Sequence, residues 1–461
     1  MITPAIERAL EKNGDYLEDL KRLVRVPSVS FPGFDPQKVE DSAQAVEALM
    51  RARGLENVEI LKVPGAHPYV YGDWLHAEGA PTLLLYAHHD VQPAGREELW
   101  KSAPFEASER DGRLYGRGTA DDKAGVVVHT SAIEACLRAL GRLPVNVKLI
   151  IEGEEEIGSH HLEDFLKRHK QRLSADAMVL TDTGNFDTGI PSITTSLRGL
   201  VSFDVIVRSA DHPLHSGMWG GPLVDPVQAL SKMIASITDS QGRIAVSGLR
   251  APAKLPKEAL RSLSSLRYGE RDYRRQSGLL PGTRLLGDNK RLLRQIWYEP
   301  SFSVNAIQAS SRKDCANIIN ESVWCHMGLR ITPGMEPQAC LKRLKAHLLR
   351  NAPWGVKVEF SNESGSPAWT TSPDHPAFQA AGRALKAGFQ REAVFVGCGG
   401  SIPFVGPFAK VLGGVPALLI GVEDPYTNPH SENESLHLGD FNKSILSAIH
   451  LYSEIASAGL N

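Results

Sequence analysis

The segment KLIIEGEEEIG, Lys148–Gly158, carries the reading of the fold. Leu149, Ile150 and Ile151 are apolar and mostly β-branched, the signature of a buried strand, and three consecutive acids and a glycine follow at once. Glu154, Glu155 and Glu156 therefore stand at the C-terminal end of a strand, where open α/β sheets place their ligand sites. A run of acids is in itself as compatible with a solvated loop or a first helical turn. Further acids and histidines stand at other predicted strand ends: His88 and Asp90, Asp121 and Asp122, Asp182, and His430. Gathering them in one place is costly without cations.

The pattern around this strand alternates strand and helix. Strands are predicted over 58–63, 82–86, 146–151 and 177–180, and helices over 39–53, 123–140 and 161–169, after one amphipathic N-terminal helix that ends at Pro27. This is the pattern of a largely parallel sheet covered by helices. Near Ile193 it changes. Val201, Phe203, Val205 and Val207 alternate along a half-buried strand, as do Val323, Cys325, Met327, Leu329 and Ile331, with Trp324, His326 and Arg330 on the opposite face. Helices over 226–237 and 337–350 and a strand over 356–360 complete a two-layer α+β unit. The stretch 247–300, rich in arginine, reads as an irregular surface insertion. After Pro373 and Pro376 the first pattern resumes, with helices over 377–387 and 441–458 and strands over 393–396 and 417–420. The expected organisation is a discontinuous α/β domain, 1–193 and 371–461, with a mostly parallel sheet and an α+β domain, 194–370, inserted in it.

Composition narrows the partners. At 461 residues the chain exceeds one ordinary core. Its formal charge of −2 lacks the basic excess of a nucleic-acid or anionic-membrane binder. No run approaches the ~20 apolar residues of a membrane span, and no signal peptide is visible. Five scattered cysteines without a C-x-x-C pair form neither a disulfide framework nor a thiolate zinc site, and suit a reducing, cytoplasmic setting.

Each candidate has a chemical rationale and a plainer alternative. In YAHHDVQPA, His88 and Asp90 are two apart and face one side, so His88 reads as a ligand and Asp90 as its orienter; a satisfied strand-end histidine is the alternative. In GRGTADDKAG, Asp122 is expected to cap the following helix, leaving Asp121 to bridge two cations. Among Glu154–Glu156, one carboxylate can bind metal while its neighbour stays free as a base. Asp182, in LTDTGN, could equally be a turn residue. His430, in TNPHSENE, has no apolar surroundings to hide a structural histidine.

The ordered set YAHHDVQPA, GRGTADDKAG, EGEEEIGS, LTD, DHPLHSGMWGG, GGSIPF and NPHSENE resembles the M20 family of di-metal peptidases, most of all its cytosolic non-specific dipeptidase and carnosinase branch. The likeness runs from LVRVPSVS to the last helix. It implies that His88, Asp121, Glu156, Asp182 and His430 hold two zinc or manganese ions with Asp121 bridging, that Glu155 is the general base, and that Asp90 orients His88. It implies too that His215 reaches the active site of the other subunit of a homodimer, that Arg330 holds the substrate carboxylate, and that Gly400 and Ser401 contact the substrate backbone. The inserted domain would then serve as lid and dimerisation domain, hinged near Ile193 and 368–371, over a small peptide substrate. His89 and the 247–300 insertion depart from the branch. An N-acyl amino acid deacylase or carbamoylase on the same scaffold is the nearest alternative, and a non-catalytic metal- or peptide-binding protein the alternative from another class. Asp182, where the family's deacylases tend to carry Glu, favours the peptidase.

Overall fold

A computed structural model describes residues 2–250, 254–402 and 405–460. They divide into two compact units: residues 2–195, 371–396 and 405–460 form the first, and 196–250, 254–370 and 397–402 the second.

The first unit is built on a mixed sheet. Its order runs Glu56–Leu61, Tyr69–Trp74, Asn146–Glu152, Thr82–His88, Ala177–Leu180, Ala417–Ile420, Ser192–Leu197. The four central strands are parallel neighbours, and the strands flanking them pair antiparallel. Leu149, Ile150 and Ile151 are each fully buried, because helices cover both faces of this central strand. Helix Lys123–Leu140 is buried for most of its length and packs against helices Thr3–Glu11 and Leu438–Ala456. The α/β class read from the strand–helix alternation holds, with the parallel pairing confined to the middle of the sheet.

Register decides what the sheet can present. His88 lies opposite Glu152, and Tyr86 opposite Leu180, so three parallel strands end at the same edge. The loops that leave them, 89–92, 153–158 and 181–184, converge there for that reason.

The second unit is a four-stranded antiparallel sheet in the order Ser301–Gln308, Ser322–Ile331, Gly199–Arg208, Lys357–Ser366. Val201, Phe203, Val205, Val207, Val323, Cys325, Met327 and Leu329 are buried, and helices Pro226–Ala235 and Pro337–Arg350 supply the rest of this core. The period-two alternation seen in sequence is the burial pattern of both central strands.

Some expectations need correction. The 247–300 stretch is not irregular: it carries helices Lys257–Ser265, Glu270–Ser277 and Leu292–Tyr298. Ion pairs one turn apart, Arg274 with Glu270 and Arg275 with Asp272, support the second, and burial of Leu292, Leu293 and Trp297 anchors the third. Residues 251–253 of this stretch lie outside the described residues. The N-terminal helix is two helices, Thr3–Glu11 and Asn13–Val24, divided at Lys12 ahead of Asn13-Gly14, poor helix formers. Strands Tyr69–Trp74 and Ser301–Gln308 and helix Val405–Val411 escaped the sequence reading. The first is buried on both faces and has no alternation to detect, and the second is an exposed edge strand.

Because Leu149 is completely buried in a central strand, Leu149→Ala is expected to cost about 2–5 kcal/mol. The measurement is the urea midpoint of the transition that reports the first unit.

Candidate metal centre

All five proposed ligands belong to the first unit, and they form two groups that share one residue. His88, Asp121 and Asp182 make one group and Asp121, Glu156 and His430 the other, each compact enough for one cation. His88 Nε2 lies 3.0 Å from Asp121 Oδ1 and 3.9 Å from Asp182 Oδ1. His430 Nε2 lies 3.1 Å from Asp121 Oδ2 and 3.3 Å from Glu156 Oε2. The two oxygens of Asp121 thus face different groups, the disposition a bridging carboxylate needs. A set of imidazole nitrogens and carboxylate oxygens without thiolate suits zinc or manganese.

The surrounding hydrogen bonds explain how so many acids share one place. Asp90 is fully buried and accepts from Ser30 Oγ at 2.7 Å and from the backbone amides of Glu155 and Glu156 at 3.1 and 3.0 Å. His88 Nδ1 stands 3.1 Å from the Asp90 carbonyl oxygen and 3.4 Å from its Oδ1, so the ring sits against Asp90 while the carboxylate pins the acidic loop together. Burial opposes its charge, but the donors from His88 and Ser30 hold its carboxyl below the usual carboxylate range. Glu434 performs the same task for the loop of Asp121. It accepts from the amides of Gly118, Ala120 and Asp121 at 3.1, 3.0 and 3.2 Å, and from the Arg117 guanidinium at 2.7 Å. The sequence reading passed over Glu434 and Arg117; the signal available was an acid four residues beyond His430.

The three consecutive glutamates occupy three environments. Glu154 is buried and structural, accepting from Tyr69 Oη at 3.0 Å and from the His161 amide at 2.9 Å. Glu156 accepts from Gln92 Nε2 at 2.7 Å and faces His430. The Glu155 carboxylate accepts no hydrogen bond among the described residues. Burial, and then the charge of Asp182, push its carboxyl well above the usual carboxylate range.

Asp122 corrects an expectation. It stands at the N-cap position of Lys123–Leu140, yet its side chain caps nothing. Its Oδ2 accepts instead from the His88 amide at 3.3 Å, because the carboxylate turns toward the strand end. It occupies space that a side chain at residue 125 would fill: a Cβ there would lie 2.4 Å from Asp122 Oδ1, so Gly125 permits this approach.

The remaining candidates belong to the second unit. His215 is exposed, and its Nδ1 accepts from the amides of Gly217 and Met218 at 3.1 and 3.3 Å. In the neutral ring this assigns the proton to Nε2, which is left as a donor. Arg330 Nη1 donates to Ser401 Oγ at 2.7 Å. The carbonyl of Gly400 accepts from the Arg198 amide at 3.1 Å. Pro403 and Phe404 of the same GGSIPF segment lie outside the described residues.

Residues 84–456 match the family model described as Peptidase family M20/M25/M40. The chain is 32% identical over 400 residues to the cysteinylglycine-S-conjugate dipeptidase of Corynebacterium striatum, covering 86% of each chain. It is 32% identical over 449 residues to the Beta-Ala-His dipeptidase of Homo sapiens, covering 92% of this chain and 86% of that one. The crystal structure of human carnosine dipeptidase 1 superposes with a TM-score of 0.88 at 26% identity, covering 98% of each chain.

The loop that carries His430 is braced by a buried ion pair, Arg113 with Asp424, at 2.8 and 2.9 Å. Burial opposes the Asp424 charge, but Arg113 and Thr188 hold its carboxyl below the ordinary value of 3.8. Its contribution is therefore complete above that value and is lost as pH falls through the lower folded pKa. Asp424→Asn is expected to lose about 3–5 kcal/mol at pH 7, by leaving Arg113 unpaired. Below pH 4 the deficit relative to the parent should shrink, as read from thermal unfolding across pH.

Proposed function

The chain belongs to peptidase family M20/M25/M40 and is a metallopeptidase; from that premise we propose that it hydrolyses the amide bond of dipeptides or short peptides with a free C-terminal carboxylate. The observation that carries the reading is the pair of ligand groups sharing Asp121, with the uncommitted Glu155 carboxylate beside them. Relatives named as dipeptidases support the substrate class.

His88, Asp121 and Asp182 would hold one divalent ion and Asp121, Glu156 and His430 the other, zinc or manganese in either case. Bound there, the pair supplies Lewis acidity, which polarises the amide carbonyl and brings the pKa of a water toward neutrality. Glu155 takes a proton from the attacking water and delivers it to the leaving nitrogen, a task that suits a carboxyl whose proton affinity burial raises. Asp90 keeps His88 in the tautomer whose Nε2 is free to ligate. His215, a donor through Nε2, is assigned to the developing oxyanion, where a well-placed donor contributes about 3–4 kcal/mol. Arg330, with Ser401 beside it, is assigned to the substrate carboxylate, whose two oxygens match a planar guanidinium, and Gly400 to the substrate backbone.

The second unit is assigned as lid and dimerisation domain, with His215 serving the other subunit of a homodimer. Among the described residues no helix is long and apolar enough to cross a membrane. None of the five cysteines is in a disulfide, the usage of a reducing compartment, and we place the enzyme in the cytoplasm.

Stripping the protein with EDTA should abolish hydrolysis of dipeptides, and zinc or manganese should restore it. Glu155→Ala should still bind two ions per chain by elemental analysis while turnover falls by about 10²–10⁴. Normal turnover in that variant rejects Glu155 as the base. Preference for N-acetyl amino acids over dipeptides in the same assay would favour the deacylase.

A further inference from the structure

The 247–300 stretch builds one wall of a cavity of about 760 Å³ in the second unit. Four arginines line it, Arg198, Arg243, Arg250 and Arg284, against two acids, Asp239 and Glu299. Both acids are already neutralised: Asp239 pairs with Arg243 at 2.8 Å, and Glu299 with Arg294 at 3.0 Å. Arg250 and Arg284 form no ion pair among the described residues. The partners of Arg198 are all neutral, namely the carbonyls of Gly399 and Glu299 and the hydroxyl of Ser301, at 2.8, 3.1 and 2.9 Å. The lining therefore carries uncompensated positive charge, and for Arg198 much of that charge is out of water. Burial, and then the neighbouring Arg330, bring the Arg198 pKa down to about 10. Desolvated guanidinium without a carboxylate is costly, and an anionic ligand relieves the cost.

The cavity adjoins the proposed carboxylate grip. Ser301 is on its wall and lies directly opposite Arg330 across two antiparallel strands, so their side chains share one face. Arg198 bonds to Ser301, and Arg330 to Ser401, on that face. A substrate whose terminal carboxylate sits on Arg330 would thus direct the side chain of its last residue toward this cavity. The volume falls within the range of sites for drug-sized ligands, about 300–1,000 Å³, so it does not select by exclusion. Leu279, Leu285 and Ile296 give it an apolar floor that accepts the methylenes of a side chain. Selection falls to charge.

We propose that this cavity is the subsite for the C-terminal side chain of the substrate and that its arginines select an acidic one. The proposal rests on the dipeptidase reading above. Its test compares kcat/KM for Ala-Glu, Ala-Leu and Ala-Lys in the metal-loaded parent, in Arg284→Glu and in Arg250→Glu. The parent should favour Ala-Glu over Ala-Lys by about tenfold, the lower end for a charge-assisted hydrogen bond, with Ala-Leu between. At least one charge reversal should reduce that ratio by about tenfold or invert it, and a general loss of activity does not move a ratio. A ratio near one in the parent, or one unmoved in both variants, overturns the subsite. Calorimetric binding of Ala-Glu and Ala-Lys to Glu155→Ala yields the same ratio without turnover. If the parent hydrolyses none of the three, the dipeptidase reading fails, and the calorimetric ratio alone decides the subsite.

Discussion

Like charges converging at one sheet edge are the constraint on which the rest of the first unit depends. Asp121, Asp182 and Glu156 stand in two compact groups that share Asp121, the charge of Asp182 acts on Glu155, and burial drives three of these four toward protonation. Such an arrangement persists only if the backbone around it is held by something stronger than the repulsion. Two other carboxylates do the holding. Asp90 accepts the amides of Glu155 and Glu156, and Glu434 accepts the amides of Gly118, Ala120 and Asp121. Each grips a loop by hydrogen bonds to charge, the strongest kind available to a backbone amide. The centre is therefore an inner set of acids that repel, clamped by an outer set that is satisfied.

The same principle separates three residues that the chain writes identically. Glu154, Glu155 and Glu156 differ only in direction, since the chain leaves a strand and enters a short turn ended by Gly158 at φ +95°. Glu154 points back to Tyr69 and His161, Glu156 to Gln92 and His430, and Glu155 to neither. Burial without hydrogen-bond donors raises the proton affinity of the Glu155 carboxylate.

In the second unit the balance has the opposite sign. Arg198 and Arg330 stand near each other with neutral partners, whereas in the first unit the acids outnumber their cations. Each unit thus carries charge that its own side chains leave uncompensated, acidic in one and basic in the other.

Much of this was legible without coordinates. Periodicity of two located the strands 199–208 and 322–331 and put Arg330 on their polar face, because alternation survives wherever only one face is buried. The strand–helix alternation identified the parallel centre of the first sheet, and the acids and histidines at its strand ends marked the candidate ligands. What the chain could not reveal was direction. Nothing local distinguishes the capping role expected of Asp122 from its actual bond to the His88 amide, or a solvated insertion from three helices that bury Leu292 and Trp297. Glu434 lies more than three hundred residues from the amides it binds. The sequence by itself thus determined which residue types stand at the ends of which strands, since those depend on local periodicity. Only the tertiary structure decided which carboxylate oxygen meets which partner, because that depends on the register of strands that are neighbours in space and remote along the chain.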